Sequence, residues 1–185
     1  MITGAGGGMG SSVAYLFARE GANVMLGART RKPLEALAAR IRHQLPDGSG
    51  ELACATGDVM RARGCEALAR AATERFGKLD VLYCNVGDAA FRGRRIEEID
   101  DKAWRYLIDV NLTSGFAAVR AALPALRETK GCVIIVAAAA VVRRDASPGY
   151  AAAKAGLLAL TANLARRLRP EDVREIGRAS CRERV

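Results

Sequence analysis

A run of glycines near the start of the chain constrains its fold more than any other feature. Five of the seven residues at positions 4–10 are glycine, and an amphipathic segment at 11–20 follows at once. Glycine lets the backbone turn tightly with positive φ and approach a bulky group closely. A strand end, a glycine loop and a helix N-terminus in this order form an anion site, because free N–H groups and the helix dipole face the loop. The run therefore predicts a phosphate-binding loop, with a merely flexible segment as the alternative.

Composition limits the remaining classes of protein. The chain has 185 residues, of which 50% are hydrophobic and 26% charged, and this balance fits one globular domain. No apolar run reaches the roughly 18 residues of a membrane span, and no export signal follows the N-terminus. A cytoplasmic protein without a membrane partner is therefore expected.

Cysteine, histidine and charge patterns exclude further classes. The five cysteines form no C-x-x-C pair and the chain has one histidine, so neither a metal site nor a disulfide framework is expected. The net charge is +9, but aromatic residues make up only 5% of the chain. A nucleic-acid surface combines one basic face with interleaved aromatics, so a small-molecule partner is favoured over nucleic acid.

Apolar periodicity alternates between strand and helix along the whole chain. Strands are predicted at 22–28, 51–56, 79–84 and 132–142, and helices at 11–20, 33–41, 65–76, 103–127 and 150–168. Such alternation favours an α/β fold with a doubly wound parallel sheet. In this architecture ligands bind beyond the carboxyl ends of the strands, so those ends are the places to look for chemistry.

Polar residues follow two of the predicted strand ends, and another lies inside a predicted helix. The Arg29 guanidinium can fork onto a phosphate, although it can also be a solvated loop charge. Asp58 is a candidate ligand contact and a candidate helix N-cap, and both roles can hold together. Asn111 lies inside a predicted helix, where asparagine is a poor former, so it is either functional or a surface residue.

Tyr150 and Lys154 are four residues apart at the start of a predicted helix, so they share one face. A cation beside a phenol favours the phenolate and lowers the tyrosine pKa. This pair is therefore a candidate general acid/base for chemistry at a carbonyl. The same spacing also arises by chance.

Together these motifs resemble the classical short-chain dehydrogenase/reductase family. The loop Thr3-Gly4-x-x-x-Gly8-x-Gly10 is similar to its nucleotide-binding loop, and Asp58-Val59 to its adenine-contacting pair. Cys84-Asn85-Val86-Gly87 resembles the Asn-Asn-Ala-Gly motif with two of its four positions changed. The sequence Tyr150-Ala-Ala-Ala-Lys154 is similar to its catalytic pair. The implied fold is Rossmann-like, with three layers.

The resemblance implies an oxidoreductase that moves a hydride between a nicotinamide and a carbonyl or secondary alcohol. Tyr150, Lys154 and Asn111 are its implied catalytic residues, and an arginine at position 29 implies NADP(H) in preference to NAD. A homodimer or homotetramer is implied as well. The cofactor-binding residues implied are Thr3, Gly4, Gly8, Met9, Gly10, Arg29, Asp58, Val59, Asn85, Gly87, Tyr150 and Lys154.

One departure from the family concerns a hydroxyl group. The family has a serine about a dozen residues before the tyrosine, whereas positions 136–141 here are all alanine or valine. Loss of one such donor costs on the order of 10²–10³ in rate. Ser147, in a Ser-Pro-Gly loop, either replaces it or is a turn serine. The alternative function is therefore a dinucleotide-binding protein with impaired or no catalysis.

A second departure concerns the ends of the chain. Only two residues precede Thr3, where a first strand takes roughly 5. Residues 175–185 match one reading frame of a common sequencing-adapter oligonucleotide, so they are interpreted as a read-through artefact. We therefore expect a partial domain at 1–174, with a stunted first strand and no strand after the fifth.

Overall fold

Six parallel strands in the order β3-β2-β1-β4-β5-β6 form the centre of the protein, in a computed structural model that describes residues 1–6 and 8–180. The strands β1–β6 are Ile2–Thr3, Val24–Ala28, Leu52–Thr56, Val81–Cys84, Cys132–Ala138 and Arg174–Ser180. The helices α1–α7 are Gly8–Arg19, Arg31–Gln44, Ala62–Phe76, Asp101–Ile108, Ser114–Thr129, Ala140–Arg144 and Pro148–Leu168. The predicted doubly wound α/β fold is confirmed.

Each face of the sheet carries its own apolar core. Leu34 and Ile41 of α2 pack with Leu26 of β2 on one side. Leu68 of α3 and Leu126 of α5 belong to the cluster on the other side. Burial of both sheet faces explains why the strands read as continuous apolar runs. In the described part of the chain, no helix is long and apolar enough to cross a membrane.

The helix predicted at 103–127 is interrupted. A π-helical turn at Asp109–Thr113 separates α4 from α5, and Asn111 lies within it. The Asn111 Nδ2 donates to the carbonyl of Leu107 at 3.0 Å, and the Ser114 Oγ donates to that of Val110 at 2.8 Å. Side chains that satisfy carbonyls in this way accommodate the wider turn, and such π-bulges are frequent at functional sites.

The strand predicted at 132–142 is too long. Strand β5 ends at Ala138, Ala139 precedes the first turn of α6, and the Arg143 guanidinium donates to the carbonyl of Ala138. The β4 ladder already ends where Cys84 pairs with Ile135. An unbroken alanine and valine run carries no signal for this turn, because short apolar runs fit strand and helix equally well.

The prediction that no strand follows the fifth is wrong. Strand β6 pairs with β5 along its whole length, from Cys132 beside Arg174 to Ala138 beside Ser180. Residues 181–185 of the predicted tail lie outside the described residues. The short first strand is as expected, since only Ile2 and Thr3 form it. The adapter origin of 175–185 stays a prediction.

The buried carboxylate of Glu175 destabilises the folded protein at neutral pH. Its carboxylate oxygens are buried and lack a hydrogen-bonded partner in the described part of the chain. Burial raises the pKa of Glu175 to about 7 from its ordinary 4.5. Because the folded-state pKa is raised, the folded state binds more protons between these values, and stability falls as pH rises from 4.5 to 7.

The variant Glu175→Gln is therefore expected to be more stable than the wild type at pH 7.5. After discounting for partial solvent exposure, the gain is roughly 1–2 kcal/mol. It should shrink to roughly 0.4 kcal/mol at pH 4.5, where the carboxyl is protonated in the folded state and half-protonated in the unfolded state. Urea unfolding at both pH values measures it, with the exposed Glu66→Gln as control. A gain that is equal at both pH values would refute the assignment.

Candidate active site

A cavity of about 450 Å³ opens at the carboxyl ends of β1 to β4. The residues that line it come from the end of β2, the loops after these four strands, α2, α4 and the π-helical turn. They include Gly4, Gly6, Arg29, Thr30, Asp58, Val59, Asn85, Gly87, Asp88, Tyr106 and Val110. Six residues of the predicted cofactor-binding set thus share one cavity, namely Gly4, Arg29, Asp58, Val59, Asn85 and Gly87.

The glycine loop is fixed against the loop after β4. Gly4 has φ of +66°, and a Cβ at this position would lie 2.9 Å from the Val86 Cγ2, so no other residue fits there without strain. The Asn85 Nδ2 donates to the carbonyl of Gly4 at 3.1 Å, and the Asn85 backbone N–H donates to the Thr3 Oγ1 at 3.4 Å. These contacts hold the two loops in register along one wall.

Four residues of the predicted set lie in β1 and in the first turn of α1. Thr3 is buried at the end of β1, Gly8 begins α1, Met9 is 40% exposed, and Gly10 packs against Gly4. None of the four lines the cavity in the described part of the chain. They shape the turn into α1 instead.

Arg29 and Asp58 lie where the second and third strands end. Arg29 is exposed on the cavity wall. The Asp58 Oδ1 accepts a hydrogen bond from the backbone N–H of Met60 at 3.1 Å. Because α3 has Arg61 at its N-cap, the interpretation of Asp58 as that helix's cap is wrong. Its carboxylate orders the loop beside the cavity.

Asn111 is a buried junction between the π-helical turn and the loop after β4. The Asn111 Oδ1 accepts from the Asp88 N–H at 3.0 Å, while its Nδ2 donates to the Asp88 carbonyl at 2.8 Å. The side chain is 1% exposed, so the alternative of a surface asparagine is wrong. A Cβ on Gly87 would lie 2.9 Å from both the Asn111 Oδ1 and the Lys154 Nζ, which places these groups together.

Lys154 faces this junction from α7, and Tyr150 lies beside Lys154. The Lys154 Nζ lies 5.8 Å from the centroid of the Tyr150 ring and donates to the carbonyl of Val136 at 3.1 Å. Burial lowers the pKa of Lys154 to about 8. Burial also raises the pKa of Tyr150, which contradicts the sequence-based expectation that Lys154 lowers it. Desolvation of the phenol is the cause of this shift.

The Ser147 side chain does not offer a free hydroxyl donor. Ser147 is buried, and its Oγ donates to the carbonyl of Ala90 at 3.1 Å. Its hydroxyl proton therefore already takes part in a hydrogen bond to the backbone of the loop after β4. Ala137 and Ala138 end β5 without a hydroxyl group.

Two of the polar cavity residues that sequence reasoning missed bind each other. The Tyr106 hydroxyl donates to the Asp88 Oδ2 at 2.6 Å, and the Asp88 Oδ1 accepts from the N–H of Ala90 at 2.9 Å. The hydrogen bond to Asp88 raises the pKa of Tyr106. One sequence signal for Tyr106 was available: Tyr106 and Val110 are four residues apart, so they share a helix face next to Asn111.

Among residues 1–6 and 8–180, no cluster of His, Cys, Asp and Glu could hold a metal ion.

Comparison with known proteins decides the family. The sequence profile of the family described as short chain dehydrogenase matches residues 1–178. The chain belongs to the short-chain dehydrogenase family. This confirms the family predicted from the motifs and, with it, the enzyme class of NAD(P)-dependent oxidoreductases.

Individual members of the short-chain dehydrogenase family agree with this assignment. A trans-4-hydroxycyclohexanecarboxylate dehydrogenase of Sinomonas cyclohexanicum is 36% identical over 177 residues, which cover 94% of this chain and 68% of that protein. An NADH-dependent reductase solved with NAD has a TM-score of 0.85 at 28% identity, over 96% of this chain and 75% of its own. A metagenomic short-chain oxidoreductase solved with NADP gives 0.83 at 29%, over 95% and 79%.

Proposed function

We propose that the chain is an NADP(H)-dependent oxidoreductase acting on small carbonyl compounds or secondary alcohols. The observation that carries the proposal is the continuity of the site: the cavity above β1 to β4 reaches Gly87, and a Cβ on Gly87 would lie 2.9 Å from both the Lys154 Nζ and the Asn111 Oδ1. A nicotinamide dinucleotide bound there would supply or accept a hydride. The relative from Sinomonas cyclohexanicum is named for oxidation of a hydroxyl-bearing ring, which supports a secondary alcohol as the substrate group.

The residues fit a dinucleotide for physical reasons. Gly4 has the positive φ of a tight loop, and Gly6 has no atom within 4 Å of the place where a Cβ would stand, so the backbone is open to a phosphate. Arg29 adds an exposed guanidinium on the same wall. Asp58 and Val59 supply the wall after β3, and Asn85 braces the loop from below.

Tyr150 and Lys154 would handle the proton. For carbonyl reduction Tyr150 gives its phenol proton to the substrate oxygen, and the raised pKa keeps that proton in place at neutral pH. Lys154 stabilises the phenolate that forms, because its ammonium lies above the ring. Asn111 holds the loop at Asp88 and the π-helical turn in position.

Arg29 is expected to decide between the two nicotinamide dinucleotides. A guanidinium paired with a phosphate contributes about 1.5–3 kcal/mol, so Arg29→Asp should weaken NADPH binding about 10- to 100-fold. NADH binding should be unchanged or stronger. Quenching of Trp104 fluorescence during titration measures both affinities, and Arg40→Asp on α2 controls for the change in net charge. Equal affinity of the wild type for NADH and NADPH would refute the role of Arg29.

A second candidate function is dinucleotide binding without efficient catalysis. The absence of a hydroxyl at Ala137 and Ala138 favours it. Cofactor binding together with turnover of cyclic ketones, aryl aldehydes or β-keto esters supports the enzyme, whereas binding without any turnover supports the alternative. By analogy with the family we also propose a homodimer or homotetramer in the cytoplasm, which sedimentation and fractionation would test.

A further inference from the structure

The crevice between the ends of β4 and β5 contains a cation that the proposed chemistry has not yet used. Reduction of a carbonyl develops negative charge on its oxygen, and preorganised donors at that oxygen provide a large part of the rate enhancement. Tyr150 is one donor, and the alanines that end β5 provide none. A second donor therefore has to come from another element.

Strand β5 directs alternate carbonyls into this crevice. The N–H of Cys132 donates to the Asp80 carbonyl at 2.8 Å, so the even-numbered positions of β5 face β4. The Gly131 carbonyl accepts from the N–H of Arg174 at 3.0 Å, so the odd-numbered positions face β6. The carbonyls of Val136 and Ala138 consequently point to the β4 side, beyond the last β4 residue in the ladder.

Two cations bind these two carbonyls. Lys154 donates to Val136, and Arg143 donates to Ala138. Since a strand rises about 3.3 Å per residue, the two carbonyls lie roughly 6.6 Å apart along one edge. The Arg143 guanidinium thus lies on the same side of β5 as Lys154, one step further out towards solvent.

Arg143 is held in place but is not neutralised. It is half-buried, and no carboxylate pairs with it in the described part of the chain, whereas its neighbour Arg144 pairs with Asp145 at 3.5 Å. In the loop after β4, Asp88 accepts from Tyr106 and Ala90, and the Arg92 guanidinium donates to the carbonyl of Asp145. Arginine has five N–H donors and stays protonated, so donors are left over for a ligand.

We propose that Arg143 donates a hydrogen bond to the substrate oxygen, in the role that the serine has in the family; this rests on the proposed function. In carbonyl reduction the new C–H bond forms at the carbonyl carbon from the hydride that the dinucleotide supplies. The π electrons of the C=O bond move to oxygen, which takes its proton from Tyr150. Arg143 transfers no proton and stabilises the developing charge.

The experiment compares Arg143→Met with Arg144→Met, which removes the neighbouring exposed guanidinium. Arg143→Met is expected to keep the NADPH affinity of the wild type within about 2-fold and to lose on the order of 10²–10³ in kcat. Arg143→Lys should lose less. Adding Ala138→Ser to Arg143→Met should recover at least about 10-fold, because the serine restores a donor at the end of β5. A merely structural arginine would not be rescued in this way.

A binding measurement keeps the inference testable even when turnover is slow. The probe is cyclohexanecarboxylate, added to the protein with NADP⁺, and its carboxylate imitates the negative charge that develops on the substrate oxygen. Its affinity should fall at least about 10-fold in Arg143→Met and stay unchanged in Arg144→Met. If Arg143→Met kept the turnover and the probe affinity of the wild type, this inference alone would be overturned. Absence of NADPH binding by the wild type would overturn the proposed function, and this inference with it.

Discussion

Replacing Tyr150 with phenylalanine is expected to reduce turnover by about 10²–10⁴-fold, the usual contribution of a positioned acid or base. The ring and its contact with Lys154 are kept, so the loss isolates the hydroxyl. NADPH affinity should change little, because Tyr150 does not line the cavity in the described part of the chain. Steady-state kinetics with a reducible ketone and Trp104 quenching by NADPH measure the two quantities.

The matched control for this variant is Tyr15→Phe in α1. Tyr15 is also a half-buried tyrosine beside a cation, because the Arg19 guanidinium lies 6.0 Å from its ring centroid. This control should retain wild-type kcat. Full activity in Tyr150→Phe would eliminate Tyr150 as the proton donor, whereas a large fall in both variants would indicate a general loss of stability.

The second large effect concerns Lys154→Met, which should change the pH dependence of stability and reduce turnover. Lys154 is 3% exposed, and burial lowers its pKa from 10.5 to about 8. Below pH 8 the folded protein has to bury the ammonium, which costs about 3 kcal/mol, since one pKa unit corresponds to 1.36 kcal/mol. Between pH 8 and 10.5 the unfolded chain binds more protons, so wild-type stability rises with pH.

Lys154→Met lacks this titration. Relative to the variant, the wild type should therefore gain about 3 kcal/mol in free energy of unfolding between pH 7 and pH 10.5. Loss of the donor to the Val136 carbonyl adds an offset that is the same at both pH values. Turnover should fall on the order of 10²–10³-fold, because the phenolate loses its cation.

Urea unfolding at several pH values measures this difference. The exposed Lys102→Met, which removes one charge outside the site, serves as control and should track the wild type. A difference between Lys154→Met and the wild type that does not change with pH would contradict the buried ammonium. A variant that turns over at the wild-type rate would contradict the role in catalysis.

Local patterns predicted a large part of the fold. The strands near 24, 52 and 81 and the helices that follow them were found from periodicity, because each buries an apolar face within one short segment. Where the run was apolar throughout, as at 132–142, periodicity could not separate strand β5 from helix α6. Strand β6 was missed because its residues have no periodicity, and its stability depends on pairing with β5.

The candidate site was also only partly predictable from the sequence. Arg29, Asp58 and Asn85 were predicted because loops after parallel strands converge at one edge of the sheet. The hydrogen bond between Tyr106 and Asp88 joins residues 18 apart in the chain, and no spacing rule relates them. The pKa of Tyr150 was predicted in the wrong direction because proximity to Lys154 can be inferred from sequence, but desolvation depends on everything packed around the phenol.

The glycine loop, the strand and helix alternation and the pairing of Tyr150 with Lys154 were determined by the sequence alone, since each depends on residues close together in the chain. The tertiary structure decided which of these residues meet across the crevice. It placed Asn111 against Asp88 through a π-helical turn, buried Glu175 beside β5, and set Arg143 on the carbonyl of Ala138. Such contacts follow from the packing of distant segments, and their energies depend on burial, which local sequence does not specify.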